Sequence, residues 1–168
     1  MEYRFCPQCG GELELKQIKH GEPKRLVCRR CGFIFFLDPK VAAGTIFRVD
    51  GGVVLIKRGI EPGYGKWVFP GGFVDRGETA EEAAIRETQE EVKVDVSIDR
   101  ILNVYSYPGF PTIVIVYAAR CLGGTPQVGD EALDVKIFSP GEIPWSDLAF
   151  NSTRDALQDY MRLYFPSR

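Results

Sequence analysis

Between Pro70 and Val94 the chain passes from a glycine-rich loop into a glutamate-rich helix, and few folds accommodate such a stretch. Pro70, Gly71, Gly72 and Gly77 permit sharp turns and let backbone groups approach a ligand closely. Thr79 with Glu82 makes a capping box, which predicts a helix over Thr79–Val92. Within that helix Glu87, Glu90 and Glu91 fall within about 100° of one another, on one face. The apolar stripe of Ala84, Ile85, Thr88 and Val92 lies elsewhere, so the acids are not merely the face opposite a core. Like charges at this spacing cost a few tenths of a kcal/mol per pair. A hard divalent cation reverses that sign, and carboxylate oxygens suit Mg²⁺ or Mn²⁺. Arg86 is placed to pair with Glu82 or Glu90, or to reach back to Glu78, and so to orient the cluster. Taken alone, the trio also fits a solvated acidic helix.

Four of the five cysteines form two tight pairs, Cys6-Pro7-Gln8-Cys9 and Cys28-Arg29-Arg30-Cys31, with 18 residues between them. Zinc takes four thiolates at tetrahedral corners, and two tight turns can each offer two. Gly10 and Gly32 follow the pairs and suit a backbone folded around an ion. The layout resembles a zinc ribbon, with Cys6, Cys9, Cys28 and Cys31 closing a structural Zn²⁺ site. A redox pair would need a βαβ context that the neighbouring sequence does not offer. His20 reads as a loop residue, and Cys121 as a buried thiol in an apolar strand.

The two regions differ in kind. Residues 1–38 read as the ribbon, and 39–168 as a second domain after Asp38-Pro39. Strands are expected over Val41–Val49 and Val53–Lys57, joined by an Asp50-Gly51-Gly52 turn. Further strands are expected over Val94–Tyr105, Thr112–Cys121 and Val135–Phe138. A last helix spans about Ser152–Tyr164, capped by Asn151 or Ser152. The sum is an α+β domain of mixed strands with two helices.

The net charge of −2 gives no reason to expect a nucleic-acid partner, although residues 1–40 hold eight Lys/Arg against five Asp/Glu. No apolar run approaches the roughly 20 residues of a membrane span. The opening Met1-Glu2-Tyr3-Arg4 lacks the layout of a signal peptide. An intracellular protein is expected, cytoplasmic or organellar.

Gly72, Glu78, Arg86, Glu87, Glu90 and Glu91 fall in the order and spacing of the Nudix box, and the chain resembles that family from Gly65 to Val94. Thr88 stands where the family has an apolar residue, and Lys93 where it has a glycine. The resemblance implies an α/β/α sandwich around a mixed sheet, preceded here by the small zinc ribbon. It also implies hydrolysis of a nucleoside diphosphate linked to a second moiety, by attack of water on phosphorus. Carried over by position, Glu87, Glu90 and Glu91 ligate Mg²⁺ or Mn²⁺, the carbonyl of Gly71 adds an oxygen, and Glu78 and Arg86 support them. The general base is a glutamate of the box or Glu131, which alternatively serves as an extra ligand. A homodimer is implied by the family.

Two groups join such a ribbon to such a domain. The NADH pyrophosphatases, which also remove NAD caps from RNA, carry a tryptophan-containing stretch that Tyr105–Pro111 lacks. The shorter ADP-ribose and FAD pyrophosphatases end in a tail that Glu142–Phe150 resembles, and that group is preferred. The substrate is then a nucleotide-sugar or dinucleotide whose cleavage gives AMP and a second phosphate ester. Stacking on a base asks for an aromatic platform, for which Tyr105, Tyr107 and Phe110 are candidates against core packing. A reading of another class is a zinc-ribbon regulator that senses a nucleotide without cleaving it.

Overall fold

The computed structural model describes residues 3–166, and the chain divides between Asp38 and Pro39 into two compact units. The first is a three-stranded antiparallel sheet of β1 (Leu13–Lys16), β2 (Arg25–Cys28) and β3 (Ile34–Phe35). Leu15, Leu26 and Phe35 stand in register across it, and Tyr3 meets Phe35 edge-on at 4.9 Å. So few apolar side chains cannot stabilise a unit of this size without further help.

The second unit holds β4 (Lys40–Ile46), β5 (Arg48–Val49), β6 (Gly52–Arg58), β7 (Trp67–Val68) and β8 (Gly71–Phe73). Helix α1 (Ala80–Val92), β9 (Asp95–Tyr105), β10 (Thr112–Gly123), β11 (Ala132–Phe138) and α2 (Asn151–Tyr164) follow. One sheet runs β8-β4-β10-β9, with β4 and β10 parallel and the other pairs antiparallel. The other runs β11-β6-β5, with β7 added to β6.

The single strand expected over Val41–Val49 divides at the fully buried Phe47, where the chain passes from one sheet to the other. A two-residue turn then returns it, with Asp50 at φ 48° and Gly51 at φ 83°, the paired positive angles of a tight hairpin.

Alternation along β10 sorts the core into layers. Ile115 and Tyr117 pack with Ala43, Ala83 and Ala84 under α1. Val114, Val116 and Ala118 pack with Ala156, Leu157 and Tyr160 of α2. The two helices therefore cover opposite faces of a mixed sheet, the α/β/α arrangement. Ile85, expected in the buried stripe of α1, lies on its exposed side instead. Phe150, not Asn151 or Ser152, is the N-cap of α2, and no side chain caps that end.

Candidate active site and metal centre

The capping box of α1 is formed. The Thr79 hydroxyl accepts from Glu82 N–H at 3.2 Å, and the Glu82 carboxylate accepts from Thr79 N–H at 2.7 Å. Glu82 is thereby spent at the helix start, and Arg86 turns to other acids. Its guanidinium donates twice to Glu78, at 2.8 and 3.1 Å, and to Glu87 at 2.9 Å and Glu90 at 3.2 Å. A further bond reaches the Phe73 carbonyl at 3.2 Å, which ties the loop to the helix. The Arg86 bonds hold Glu78 below the usual carboxylate range, helped by the N–H of Asp75.

Glu91 points the other way and accepts from the Gly71 N–H at 2.8 Å. Burial pushes its carboxyl up to about 7, the Gly71 N–H opposes the shift, and the charge of Glu87 adds to it. Burial raises Glu87 as well, against the pull of Arg86. A Cβ on Gly72 would overlap the Glu87 carboxylate, so glycine is what leaves that carboxylate its place. Two acids whose charged form burial disfavours, beside a third that is exposed, form a donor set that a hard divalent cation fits. The three carboxylates are not drawn into one tight knot. Glu87 and Glu90 share the Arg86 guanidinium, while Glu91 is turned onto the loop.

Thr88, the departure from the box, is fully buried and donates to the Ala84 carbonyl at 2.7 Å. Its oxygen lies 2.6 Å from the hydroxyl of Thr45 on β4, which must donate in turn. The polar residue is thus accommodated by a second one that faces it. Lys93, the other departure, adopts φ 58° at the end of α1, the left-handed conformation a glycine usually provides there.

Glu131 lies in the turn just before β11 and is exposed, with its charge adding to the upward shifts of Glu87 and Glu91. Arg58 is the site residue that sequence reasoning missed. It closes β6, its Nε donates to the Pro62 carbonyl at 2.8 Å, and its guanidinium lies 5.1 Å from the centre of the Phe150 ring. Its charge acts on Glu91, which places a cation beside the acids. A Lys-Arg pair ending a strand whose preceding residues are apolar was the available signal.

The proposed aromatic platform is corrected in part. Tyr105 is buried and Tyr107 half-buried in the cluster under α2, on the face of the sheet away from α1. Tyr105 donates to Asp159 at 2.7 Å, and the Tyr107 hydroxyl is bonded to Asp155. Core packing explains both. Phe110 stands exposed in the turn between β9 and β10.

In the first unit the two cysteine turns are near copies. Gly10 and Gly32 adopt φ 73° and 72°, and backbone N–H groups of Gln8 and Arg30 each donate to a sulfur at 3.4 Å. The Cys6–Cys31, Cys9–Cys28 and Cys9–Cys31 sulfurs lie 3.8, 3.5 and 3.3 Å apart. Disulfides are far shorter, at about 2 Å. Four thiolates bound to zinc at about 2.3 Å stand roughly 3.8 Å from one another, so the spacing fits such an ion. His20 is exposed in a turn, and Cys121 is half-buried with its thiol toward the Gly123 carbonyl at 3.6 Å. No helix among the described residues is long and apolar enough to cross a membrane.

Comparison with known proteins agrees with this geometry. The NUDIX domain family matches residues 38–160, and the zinc-ribbon family described as Nudix N-terminal matches residues 4–36. The chain is 37% identical over 131 residues to an ADP-ribose pyrophosphatase of Methanocaldococcus jannaschii, covering 76% of each. It is 28% identical over 145 residues to a NAD-capped RNA hydrolase of Pseudomonas putida, covering 85% of this chain but only 50% of that one. A NUDIX hydrolase structure from Nitrosomonas europaea superposes with a TM-score of 0.90 at 38% identity, covering 96% of this chain and 92% of that one. A glutamate helix clamped by Arg86, behind a four-cysteine ribbon, is thus matched as a whole and in its order, and the chain belongs to the Nudix hydrolases.

Proposed function

We propose that the chain hydrolyses the diphosphate linkage of ADP-ribose, FAD or both, giving AMP and the second phosphate ester. The observation that carries the substrate class is the 37% identity, over 76% of both chains, to a protein named ADP-ribose pyrophosphatase. Glu87, Glu90 and Glu91 hold Mg²⁺ or Mn²⁺, with the Gly71 carbonyl as an additional oxygen. The bound ions supply charge neutralisation of the diphosphate and a lowered pKa for water. Glu78 fixes Arg86, and Arg86 fixes the orientation of Glu87 and Glu90. Arg58 offers its guanidinium to the phosphate oxygens. Glu131 takes the proton of the attacking water, or adds a ligand, as one bridging P–O bond breaks and the ester leaves. Cys6, Cys9, Cys28 and Cys31 hold a structural Zn²⁺. A homodimer belongs to the same reading, and the eleven-residue edge strand β9, with Ile101 and Val104 exposed, offers a face for it. Sedimentation at micromolar concentration tests that.

Incubation with Mg²⁺ and, separately, ADP-ribose, FAD, NADH or NAD-capped RNA, followed by product masses, tests the substrate. AMP from ADP-ribose or FAD supports the proposal. Cleavage confined to NADH or capped RNA transfers the reading to the NAD-capped RNA hydrolases, which the 28% match favours. No product from any of them returns it to a nucleotide-sensing regulator.

A further inference from the structure

Glu131 follows a stretch, Gly124–Gly129, that forms neither helix nor strand, and an acid so placed has every opportunity to wander. Its backbone is nevertheless held from two sides. On one side the loop docks on the last turn of α1. Gln127 N–H donates to the Val92 carbonyl at 3.0 Å, and Gly129 N–H to the Glu91 carbonyl at 2.9 Å. These are carbonyls that a helix end leaves without partners of its own. The loop can lie this close only because Gly129 lacks a side chain. A Cβ there would overlap the Glu90 carbonyl oxygen and stand 2.7 Å from the Glu91 Cα. On the other side Gly59 N–H donates to the Glu131 carbonyl at 2.8 Å, and a Cβ on Gly59 would meet that same oxygen at 2.8 Å. Both obstacles are backbone, so no side chain can rotate aside to relieve them.

We infer that Gly129 and Gly59 are positioning residues for Glu131, seating its backbone between the carbonyl end of the glutamate helix and the Arg58 end of β6. The seat fixes which way the carboxylate enters the site relative to Glu87 and Glu91. This inference rests on the reading of Glu131 given above. A displacement of about 1 Å at such a group costs about a hundredfold in rate.

A double-mutant cycle with ADP-ribose and Mg²⁺ tests it. Gly129→Ala lowers kcat about a hundredfold, with KM changed by less than about threefold. Added to Glu131→Gln, the same substitution costs less than about twofold, because the group it misplaces is already gone. Gly59→Ala behaves alike. Gly141→Ala, where a Cβ meets nothing within 4 Å, leaves turnover unchanged. If Gly129→Ala does not fold by circular dichroism, Gln127→Pro replaces it in the cycle, since it deletes the N–H that reaches Val92. Full turnover in Glu131→Gln overturns the reading of Glu131 and this inference with it. Full turnover in Gly129→Ala, or losses that multiply in the double variant, overturns the inference alone.

Discussion

The cysteine cluster and the glutamate cluster reach their geometry by opposite routes. The ribbon's sulfurs are set by two local turns of near-identical conformation, and little apolar surface backs them. The carboxylates depend on contacts between distant segments, with Gly71 on Glu91, Thr45 on Thr88 and the Glu131 loop on the end of α1. Those segments are carried by a core of fully buried side chains such as Phe47, Leu55, Val116 and Leu157. One unit therefore has little core of its own and a sulfur cluster that fits a structural ion. The other has a core of its own and carries two acids whose charged form burial disfavours.

The largest effect that can break this contrast is removal of zinc. Stripping it with a strong chelator, or substituting Cys28→Ser, abolishes hydrogen-exchange protection in the ribbon, because structural zinc supplies on the order of 10 kcal/mol. Protection across β4, β6 and β10 stays. A protected ribbon in protein shown by metal analysis to hold no zinc would falsify the contrast.

Glu91→Gln sharpens the other half. It lowers kcat by about a thousandfold, in keeping with the several kcal/mol a catalytic metal contributes, yet it raises the melting temperature of metal-free protein at pH 8. The sign follows from the carboxyl, whose value is pushed up by burial from 4.5 to about 7. A raised acid contributes stability that is fully present below its unfolded value and is lost as pH rises through the folded one. Metal-free wild type thus weakens between pH 5 and pH 8, and Glu91→Gln flattens that slope. Thermal melts across this range in chelator decide it, and equal slopes would sink the account of a strained acid.

Arg58→Ala comes next. Loss of a charge-assisted bond to phosphate costs about 2 kcal/mol, or some thirtyfold in kcat/KM. An unchanged kcat/KM removes Arg58 from the phosphate site. The smallest effect is Lys93→Gly, which relieves a non-glycine residue at φ 58° and stabilises by about 1 kcal/mol. Denaturant midpoints measure it, and turnover is expected to stay the same.

Much of the site was legible because its parts are close in sequence. The capping box, the shared face of Glu87, Glu90 and Glu91, and the two cysteine turns each follow from spacings of two to four residues. Tyr105 and Tyr107 were misread because an aromatic residue near a strand end looks the same whether it faces α1 or α2. The choice of Arg86 was equally hidden. Glu82 and Glu90 stand at equal spacing from it, and the capping box took Glu82.

The sequence by itself placed the three acids on one helix face and the four thiols in two matching turns, because spacing along a helix or a turn acts before any packing occurs. The reaction class came from the order of the whole box. Only the tertiary structure decided that burial raises Glu87 and Glu91, that Arg58 joins them, and where the Glu131 loop is seated. Burial and close backbone approach arise when segments far apart in the chain meet. No local pattern encodes the distance between them.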